Sequence, residues 1–540
     1  MPVQVSYPGV YIEELPSSVH PITGVATSIT AFVGMANSGP VNVPTTINSY
    51  GDYDRIFGGL WARSTMSFAV NDFFANGGSQ AIIVRLVATD LMAPGFVGPA
   101  SATLSLPEDL AASPPSNLSS MYTRLELEAA DPGAWANYLN VLVDLHTKNP
   151  SDPTLFNLTA TQMDPTLTQV LAMEKYVNLS VDPSSSNYVV TVLTQNSALL
   201  AVQQDHSGDF IVPSVRPAAT LSGSPLAATP VYLQGGEDGS DLTAYDFVGL
   251  GQSNKQGLYA LEYADLFNIL CIPPYMNNYQ DVDPSLVGMA AAYCQLRRAF
   301  YIVDPPSSWT NLTSAQNGLT NLGTNSDHAA VYFPRVIEQN LLTGNLATFV
   351  PCGIIAGIYA ATDGQRGVWK APAGQETALN NVSQLVVSLT DAENGQLNPL
   401  GINCLRSFPV TGRVVWGART LQGADVLASQ WKYIPVRRTA LYIEQSMYQG
   451  TQWVVFEPND ETLWSAIRLN IGSFMQGLFR QGAFFGSSPN EAYFVKCDDE
   501  TTTQADIDNG IVNIVVGFAP LQPAEFVVIQ IQQMAGQLQA

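Results

Sequence analysis

Apolar residues in the first ninety positions come in two kinds of run. Ser28–Met35 and Ala81–Val87 are almost continuously apolar, which is typical of strands buried on both faces. Between them, Tyr53–Phe57 and Met66–Asn76 place apolar residues at helical spacing. Strands that alternate with helices predict an α/β unit with a mainly parallel sheet.

The same alternation resumes after residue 230. Leu266–Ile272 and Ala299–Val303 are predicted as buried strands, and the amphipathic stretch Ser285–Arg298 as the helix that joins them. This spacing is that of a right-handed βαβ crossover. Ala329–Phe333 adds a further strand, and Thr348–Ala361 is interpreted as a helix or a buried segment.

Between residues 91 and 230 the composition changes. Ser, Pro, Thr and Asn dominate, and the short runs Thr123–Glu128, Val141–Leu145 and Tyr188–Leu193 alternate apolar with polar positions. Such alternation predicts half-exposed antiparallel strands. We therefore predict an inserted β-rich domain that is entered and left through exposed linkers.

Two helices are predicted in the last quarter of the chain. The first covers Arg437–Gly450, and its apolar stripe consists of Val436, Ala440, Ile443 and Met447. The second is capped by Asn459 or Asp460 and runs to about Arg480. Its buried stripe consists of Leu463, Trp464, Ile467, Ile471, Phe474, Met475 and Leu478.

Terminal strands are predicted at both ends. Three of them close the chain, at 492–497, 511–518 and 525–532. In the last one Val527, Ile529 and Ile531 share a face that must lie on something apolar. A long apolar edge strand is an aggregation hazard unless another strand pairs with it. Residues 2–13 hold a strand too short to be stable alone, which must pair with the body or with another subunit.

These patterns predict a multidomain protein of the α/β and α+β classes, with mixed sheets and helices in its body. The predicted parts are an N-terminal arm and linker (1–24), an α/β body (25–90 with 231–360), the inserted β-rich domain (91–230), and a C-terminal domain with a terminal arm (361–540). A chain of 540 residues is also too long for a single hydrophobic core.

Composition narrows the classes of function. The net charge of −23 argues against binding nucleic acid through its phosphates. No apolar run approaches the about 20 residues of a membrane span, and the first residues lack the basic and apolar regions of a signal peptide. Five scattered cysteines among apolar neighbours are typical of buried free thiols in a reducing compartment, so we expect assembly in the cytoplasm.

One segment reverses the acidic balance. Residues 406–480 contain eight bases and five acids. A locally basic segment in an acidic protein indicates an acidic partner, but the same arginines can instead pair within the chain. Both interpretations stay open. On the second predicted helix, Arg468 and Arg480 lie on different sides, so the pattern does not establish a single basic ridge.

Three features of the sequence could suggest a cofactor or metal site, and each has a simpler interpretation. Gly235–Gly239 is glycine-rich, but its two adjacent carboxylates and the absence of Gly-Lys-Ser/Thr argue against a phosphate loop. Asp498–Asp508 is acidic, but its glycine is wrongly placed for an EF-hand. The four histidines are too far apart for a metal-ligand pattern. We therefore predict no enzyme, no cofactor and no metal site.

Several ordered stretches resemble one family. They are Tyr7–Glu14, Gly367–Gly374, Leu397–Asn403, Val415–Leu421, Phe456–Asn459 and Pro520–Phe526. Together they resemble contractile tail sheath proteins, which form the sheaths of contractile phage tails, R-type bacteriocins and related injection particles. The resemblance covers roughly residues 1–90 and 231–540, and residues 91–230 carry none of it.

The resemblance implies a structural polymer. The chain would be a subunit of a contractile sheath that assembles helically around an inner tube and contracts to drive that tube through a target envelope. In this family the terminal arms add strands to sheets of neighbouring subunits, and such head-to-tail contacts give an open helix. The implied interface residues are Val3, Val5, Tyr7, Val10, Tyr11, Phe526, Val527, Val528, Ile529 and Ile531.

The resemblance also implies partners and a location. The partners are other copies of the chain, an inner tube protein, and baseplate and terminal cap proteins, with no nucleic acid and no insertion into a membrane. The C-terminal domain would face the tube, and the tube-facing candidates are Arg437, Arg438, Arg468 and Arg480. The particle would be assembled in the bacterial cytoplasm, as part of a phage tail or a released phage tail-like particle.

Two other classes of protein stay open at this point. A surface-layer or shell-type protein would explain the acidity, the low lysine content and the β-rich insert, but a secreted protein should show a signal peptide. An α/β enzyme with a β-rich appendage would need a catalytic constellation, which the sequence does not show.

Overall fold

A computed structural model describes residues 20–222, 227–276 and 278–530 of the protein. The predicted N-terminal strand, with Val3, Val5, Tyr7, Val10 and Tyr11, lies outside these residues, as does Ile531. Among the described helices, none has the length and apolar character needed to cross a bilayer. All five cysteines are buried free thiols, as predicted.

The secondary structure begins with an α/β unit. Up to residue 90 the elements are β1 (Thr30–Gly34), β2 (Thr45–Ile47), α1 (Tyr50–Phe57), α2 (Thr65–Ala75) and β3 (Ala81–Arg85). Ser49 and Ser64 start the two helices, because each side chain accepts a hydrogen bond from the backbone amide three residues later.

The inserted region is rich in short strands. Its elements are β4 (Thr103–Pro107), β5 (Arg124–Ala129), β6 (Leu139–Asp144), β7 (Leu155–Met163), β8 (Val170–Ser180), α3 (Val189–Asn196), β9 (Leu200–Val202), β10 (Leu221–Ser222), β11 (Ala227–Ala228) and β12 (Val231–Tyr232).

The remaining elements alternate again between helices and strands. Up to residue 420 they are α4 (Ala244–Val248), β13 (Ile269–Cys271), α5 (Pro284–Leu296), β14 (Phe300–Val303), α6 (Leu312–Gly318), β15 (Ala329–Phe333), β16 (Val336–Gln339), β17 (Leu346–Phe349), α7 (Cys352–Arg366), β18 (Val382–Leu385), α8 (Asp391–Leu397), β19 (Ile402–Phe408) and β20 (Gly412–Trp416). Beyond it they are α9 (Ile434–Gly450), α10 (Glu461–Arg480), α11 (Pro489–Ala492), β21 (Tyr493–Lys496), α12 (Gln504–Asp508) and β22 (Val515–Phe518).

An eight-stranded sheet in the order β2-β3-β1-β13-β14-β15-β19-β20 forms the body. Its six central strands run parallel, and each edge strand is antiparallel to its neighbour. Helix α5 covers one face, and α2 and α7 cover the other, which explains the continuously apolar strand sequences. The predicted βαβ unit, β13-α5-β14, is therefore confirmed.

Close packing of α2 against α7 depends on glycine. A Cβ atom on Gly353 would lie 2.0 Å from the carbonyl oxygen of Ala69, and one on Gly357 would lie 2.5 Å from that of Phe73. Only glycine lets the two helix backbones approach so closely. The stretch 348–361, which the sequence left open as a helix or a buried segment, is therefore the end of β17 followed by most of α7.

The predicted boundary between body and C-terminal domain, at residues 360 and 361, is wrong. β19 and β20 extend the eight-stranded sheet, and β18 joins β16 and β17 in a small antiparallel sheet. The body therefore continues to about residue 420. The sequence pattern did not predict the strands at 402–416. Periodicity also carries no information on which sheet a strand joins, so it could not place this boundary.

One predicted strand is a helix. Tyr188–Leu193 was expected as an alternating strand, but the structure forms α3 at Val189–Asn196. Val189, Val190 and Leu193 are buried in the insert core, a spacing that fits one helical face. A short run of β-branched residues is compatible with both structures, and packing against the neighbouring strand β9 decides between them.

The insert has a hydrophobic core of its own. β4, β5 and β9 form one antiparallel sheet, and β12, β6, β7 and β8 form another, with a shared core of residues between 102 and 233. Arg85, at the end of β3, fixes the join to the body. Its buried guanidinium donates to the carbonyl oxygens of Ala36 at 3.0 Å, Gly39 at 2.6 Å and Pro132 at 2.7 Å.

A separate core lies under α10, β21 and β22. Asp460 caps α10 by accepting from the amide of Leu463 at 3.0 Å, and the predicted apolar stripe of this helix is buried throughout. Helix α9 joins the body to the C-terminal domain. It contributes Ile434 and Leu441 to the core of the body and Ile443 to the core of the C-terminal domain.

Candidate functional site

The segment that leads into the C-terminal arm is fixed by an ion pair. Arg419, which is fully buried, donates through Nε to Oε1 of Glu525 at 2.7 Å and through Nη2 to Oε2 at 2.6 Å. Its remaining nitrogen donates to the carbonyl oxygen of Asn398 and to Asp425, each at 2.9 Å. A two-pronged contact of this kind fixes direction as well as position. We call Arg419 and Glu525 with their partners Asn403, Asp425 and Tyr433 the arm clamp.

Polar groups around Arg419 hold the arm clamp in place. The side chain of Asn403 accepts from the backbone amide of Arg419 and donates to its carbonyl oxygen, both at 2.7 Å. Tyr433 donates its hydroxyl to Oε2 of Glu525 at 3.2 Å. Burial disfavours the charged form of Glu525, but the guanidinium of Arg419 outweighs it and holds the pKa of this carboxyl below its ordinary value.

Beyond the arm clamp the chain is apolar and exposed. Phe526, Val527, Val528 and Ile529 have relative exposures of 76%, 80%, 82% and 80%. Residues 525–530 of the predicted strand at 525–532 pair with no strand among the described residues. The part of this strand that the structure describes is therefore left unpaired.

An open two-stranded sheet lies in the same domain. β21 and β22 pair antiparallel, from Tyr493 with Phe518 to Lys496 with Val515, and no third described strand joins them. On one face they pack against the C-terminal core, while Phe494 on the other face is half exposed and covers Gly517. A two-stranded sheet is marginally stable alone, and its free edges can accept further strands.

The N-terminal arm leaves the described structure beside α10. The backbone amide of His20 donates to the side-chain oxygen of Asn470 at 3.0 Å, and its ring stacks on Trp453 with centroids 4.3 Å apart. Two residues later, Ile22 packs against the C-terminal core. The part of the predicted linker that is described is therefore extended chain held on the surface of α9 and α10.

Two of the predicted tube-facing arginines are not on the surface. Arg437 is 7% exposed, donates to His328 at 2.8 Å and lies over the ring of Trp431. Arg438 is 3% exposed and pairs with Asp363 at 2.6 Å. Both side chains therefore make contacts inside the chain, and neither is kept as a tube-facing candidate. For these two, the alternative of intramolecular pairing applies.

The other two arginines differ from each other. Arg468 is partly exposed, pairs with Glu461 at 2.5 Å and also donates to the carbonyl oxygen of Cys497. Arg480 is exposed, and among the described residues no acid lies within ion-pair distance of it. Of the four candidates, Arg480 alone offers a cation on the described surface without an acidic partner.

Several stretches singled out in the sequence come together around the arm clamp. A groove of about 760 Å³ lies between the body and the segment before the C-terminal arm. Its lining includes Trp369 and Lys370 from Gly367–Gly374, Trp416 from Val415–Leu421, and Glu525 from Pro520–Phe526. Sequence reasoning missed the roles of Arg419 and Glu525. Their signal was present, because both lie in stretches that carried the family resemblance.

Family models match both parts of the chain around the arm clamp. Residues 248–421 match the phage tail sheath protein central domain, and residues 428–534 match the phage tail sheath C-terminal domain. Together they cover more than half of the chain. The chain belongs to the phage tail sheath protein family. The break between the two sheath domains, after residue 421, agrees with the end of the body sheet.

The matched relatives are distant tail sheath proteins. The tail sheath protein of Burkholderia phage BcepMu is 26% identical over 265 residues, which is 46% of this chain and 54% of that protein. This sheath-family chain spans less than two thirds of the length of each curated relative that it matches here. No surface-layer protein is among these relatives.

Solved sheath structures share the whole fold. The sheath complex of PVC, an extracellular contractile injection system in its contracted state, has a TM-score of 0.56 at 21% identity and covers 98% of this chain and 99% of its own. The helical sheath of the anti-feeding prophage in its contracted state has a TM-score of 0.56 at 24% identity, with 98% and 100% covered. At these identities the likeness establishes the fold, and it confirms the predicted multidomain α/β class.

Proposed function

We propose that this chain is the structural subunit of a contractile sheath. It polymerises helically around an inner tube and contracts to drive that tube through a target envelope. The observation that carries the proposal is the exposed apolar run Phe526–Ile529, held at its base by the arm clamp. A run of this kind is a liability in a free monomer, but it is what a strand needs in order to pair with another subunit.

The open sheet of β21 and β22 is the proposed acceptor. Strands from the arms of neighbouring subunits would add to its free edges, with backbone hydrogen bonds giving strength and the apolar faces giving register. The proposed donor and acceptor are different segments of the chain, so the contact would be head-to-tail. Repetition of such a contact gives an open helix instead of a closed dimer.

The proposed partners follow from this assembly. They are further copies of the chain, an inner tube protein, and baseplate and terminal cap proteins, without nucleic acid or membrane insertion. Arg480 is the candidate for a contact with an acidic tube. We propose assembly in the bacterial cytoplasm into a phage tail or a phage tail-like particle, and a structural role instead of a catalytic one.

The strand-pairing proposal is tested by charging the arm without disturbing the arm clamp. Val527→Lys with Ile529→Lys places two ammonium groups on the face that a neighbour would bury, so we expect folded subunits that form no tubes. Leu171→Lys with Met173→Lys is the matched control, since these residues are 58% and 60% exposed on β8 of the insert. Negative-stain microscopy reports the tubes, and circular dichroism reports the fold.

Normal tubes from the charged arm would contradict the proposed strand pairing. Loss of tubes in the insert control as well would show that any added surface charge prevents assembly. Removal of residues 526–540, which leaves Glu525 and the arm clamp intact, should reproduce the effect of the two charged substitutions.

A further inference from the structure

The groove beside the arm clamp has the size and lining of a binding site. Its volume of about 760 Å³ lies in the range of roughly 300–1,000 Å³ in which proteins bind ligands. Its lining includes Trp369 and Trp416, together with Pro523 and with Gln481, which follows α10. The lining therefore combines aromatic and apolar surface with polar groups, and it suits an occupant that has both.

Of the positive charges in and beside this groove, Arg366 in the lining pairs with Glu376 at 3.0 Å, whereas Lys370 in the lining and Arg480 next to it have no acidic partner among the described residues. The ammonium group of Lys370 donates to the carbonyl oxygens of Ala371 at 3.0 Å and Ala373 at 3.5 Å, and no carboxylate in the described chain lies within ion-pair distance. Arg480 precedes Gln481 and is in the same situation. In a chain with 45 acidic and 22 basic side chains, two such neighbours favour an occupant with carboxylates.

One segment outside the described residues has the matching chemistry. Residues 1–19 carry Glu13 and Glu14 and no base, and the stretch Tyr7–Tyr11 just before them contains two tyrosines and a proline. Tyrosine and proline suit an indole-lined groove, and the adjacent carboxylates suit Lys370 and Arg480. Residues 531–540, at the other end of the sequence, contain no charged side chain and no aromatic ring.

The N-terminal arm is long enough to reach the groove of the same chain. His20 is held on Asn470, and the eleven residues of α10 from there to Gln481 cover about 16 Å at a rise of 1.5 Å per residue. The six residues from Glu14 to His20 span at most about 20 Å. Ile22, near the base of the arm, and Trp369, in the lining of the groove, also pack against the same core.

We infer that residues 7–14 occupy this groove of their own chain in the free subunit. Tyr7–Tyr11 lie along the tryptophans, and Glu13 and Glu14 face Lys370 and Arg480. Docking in this way withholds the arm from strand pairing until a neighbouring subunit presents an open sheet. That regulatory consequence rests on the proposed function, whereas the docking itself does not.

Amide hydrogen exchange on the monomeric full-length protein tests the docking. We expect the amides of residues 7–14 to exchange more slowly than in a free peptide of the same sequence, equally at two protein concentrations ten times apart. Protection that rises with concentration would assign the groove to the arm of a second copy and overturn the inference. Exchange as fast as in the free peptide would also overturn it.

Charge-reversal variants test whether the groove is the site that binds the N-terminal arm. Lys370→Glu with Arg480→Glu should speed exchange at residues 7–14 by about three- to tenfold, since it replaces two attractive contacts by repulsion. Adding Glu13→Lys and Glu14→Lys should restore the protection. Lys175→Glu, on the exposed face of β8, is the control and should change nothing. Unchanged exchange in the groove variant would overturn the inference.

A second variant guards against damage to the loop that Lys370 supports. Lys370→Gln with Arg480→Gln removes both charges but keeps a donor for the carbonyl oxygens of Ala371 and Ala373. Protection should fall here too, and retained protection would show that charge does not hold the arm. Tube formation is read separately. Protected amides in residues 7–14 without tube formation would contradict only the proposed function. Tube formation by subunits whose residues 7–14 are unprotected would contradict only the docking.

Discussion

At the scale of single residues, buried charges decide how the parts of this subunit are held. Arg419 fixes the C-terminal arm, Arg438 fixes α9 on α7, and Arg85 fixes the insert on the body. Each of them is almost wholly buried and satisfies its donors with carboxylates or backbone carbonyl oxygens. Removing one partner from such a contact leaves a buried group without compensation, so these positions are sensitive to substitution.

Two buried carboxyls face each other between α2 and β16. Asp72 and Glu338 are 6% and 5% exposed. Burial raises the pKa of Glu338 to about 7, and burial together with Glu338 raises the pKa of Asp72. Because these folded-state pKa values lie above those of the unfolded chain, the folded state binds protons more tightly. The stabilisation is complete below about pH 4 and is lost as the pH rises towards 7.

Glu338→Gln removes the contribution of Glu338 to this dependence and leaves that of the buried Asp72. We expect the free energy of unfolding at pH 8 to rise by up to about 3 kcal/mol, and its decline between pH 5 and pH 8 to flatten. Urea unfolding across that range measures both effects. Glu376→Gln is the control, since its exposed pair with Arg366 is worth about 0–1 kcal/mol. A pH dependence equal to that of the unmodified protein would contradict the assignment.

At the scale of elements, α9 is the joint between the body and the C-terminal domain. Its apolar residues enter both cores, and Arg437 and Arg438 extend into the body. Arg438 also donates to the carbonyl oxygen of Thr27, which places the start of the body beside the same helix. The two sheath domains are therefore joined by a helix whose two buried arginines are held by partners in the body.

Breaking the pair of Arg438 with Asp363 tests this joint. Arg438→Ala leaves the carboxylate of Asp363 buried without its partner, so we expect a loss of about 3–5 kcal/mol in the free energy of unfolding. Arg438→Met with Asp363→Leu should lose much less, because both charges are gone. Arg55→Ala, in an exposed pair on α1, is the control and should cost about 0–1 kcal/mol. Equal midpoints of urea unfolding for Arg438→Ala and the control would refute the assigned role of α9.

At the scale of the whole molecule, the insert stands apart from the assembly elements. It has its own core and joins the body around Arg85, whereas both arms start from the C-terminal domain or its border with the body. Residues 91–230 also lie outside the matched family models. We therefore propose that the insert lies on the outer surface of the sheath, away from the inner tube.

Removing the insert tests its position. Replacement of residues 91–230 by a short Gly/Ser linker should leave helical tubes with a smaller outer diameter, since neither arm nor the arm clamp is touched. Cryo-electron microscopy of the assembled tubes measures the diameter. Failure to assemble, with a folded body shown by circular dichroism, would place the insert in a subunit contact instead.

A change in the length of the N-terminal arm tests how contraction passes between subunits. His20 is fixed on Trp453 and Asn470, and we propose that the residues before it tether the subunit to a neighbour. Pro8 and Pro16 within this tether, and Pro21 just after His20, restrict the chain. Three residues inserted after Ser18 add up to about 10 Å of slack, so we expect extended sheaths that fail to contract under the trigger that contracts the unmodified sheath.

Microscopy before and after the trigger gives the result. The control is a three-residue insertion after Gly208, at an exposed turn of the insert, which should leave contraction intact. Contraction of the tether variant at the normal rate would show that the signal travels through contacts between the bodies.

Local physics was enough to predict much of this protein. Continuous apolar runs predicted the central strands, and the 3.6-residue period with a cap at Asp460 predicted α10 and its buried stripe, because these features depend on neighbours in the sequence. The ordered stretches around Gly367–Gly374 and Pro520–Phe526 predicted the sheath family. All five cysteines are free and buried, as their apolar neighbours indicated.

Tertiary structure alone decided the rest. The sequence could not show that β19 and β20 join the body or that Arg437 and Arg438 are buried, because each depends on groups far away along the chain. The same is true of the arm clamp, whose Arg419 and Glu525 lie 106 residues apart. A charge pattern counts arginines but does not reveal their partners, since an ion pair is formed by proximity in space and not in sequence.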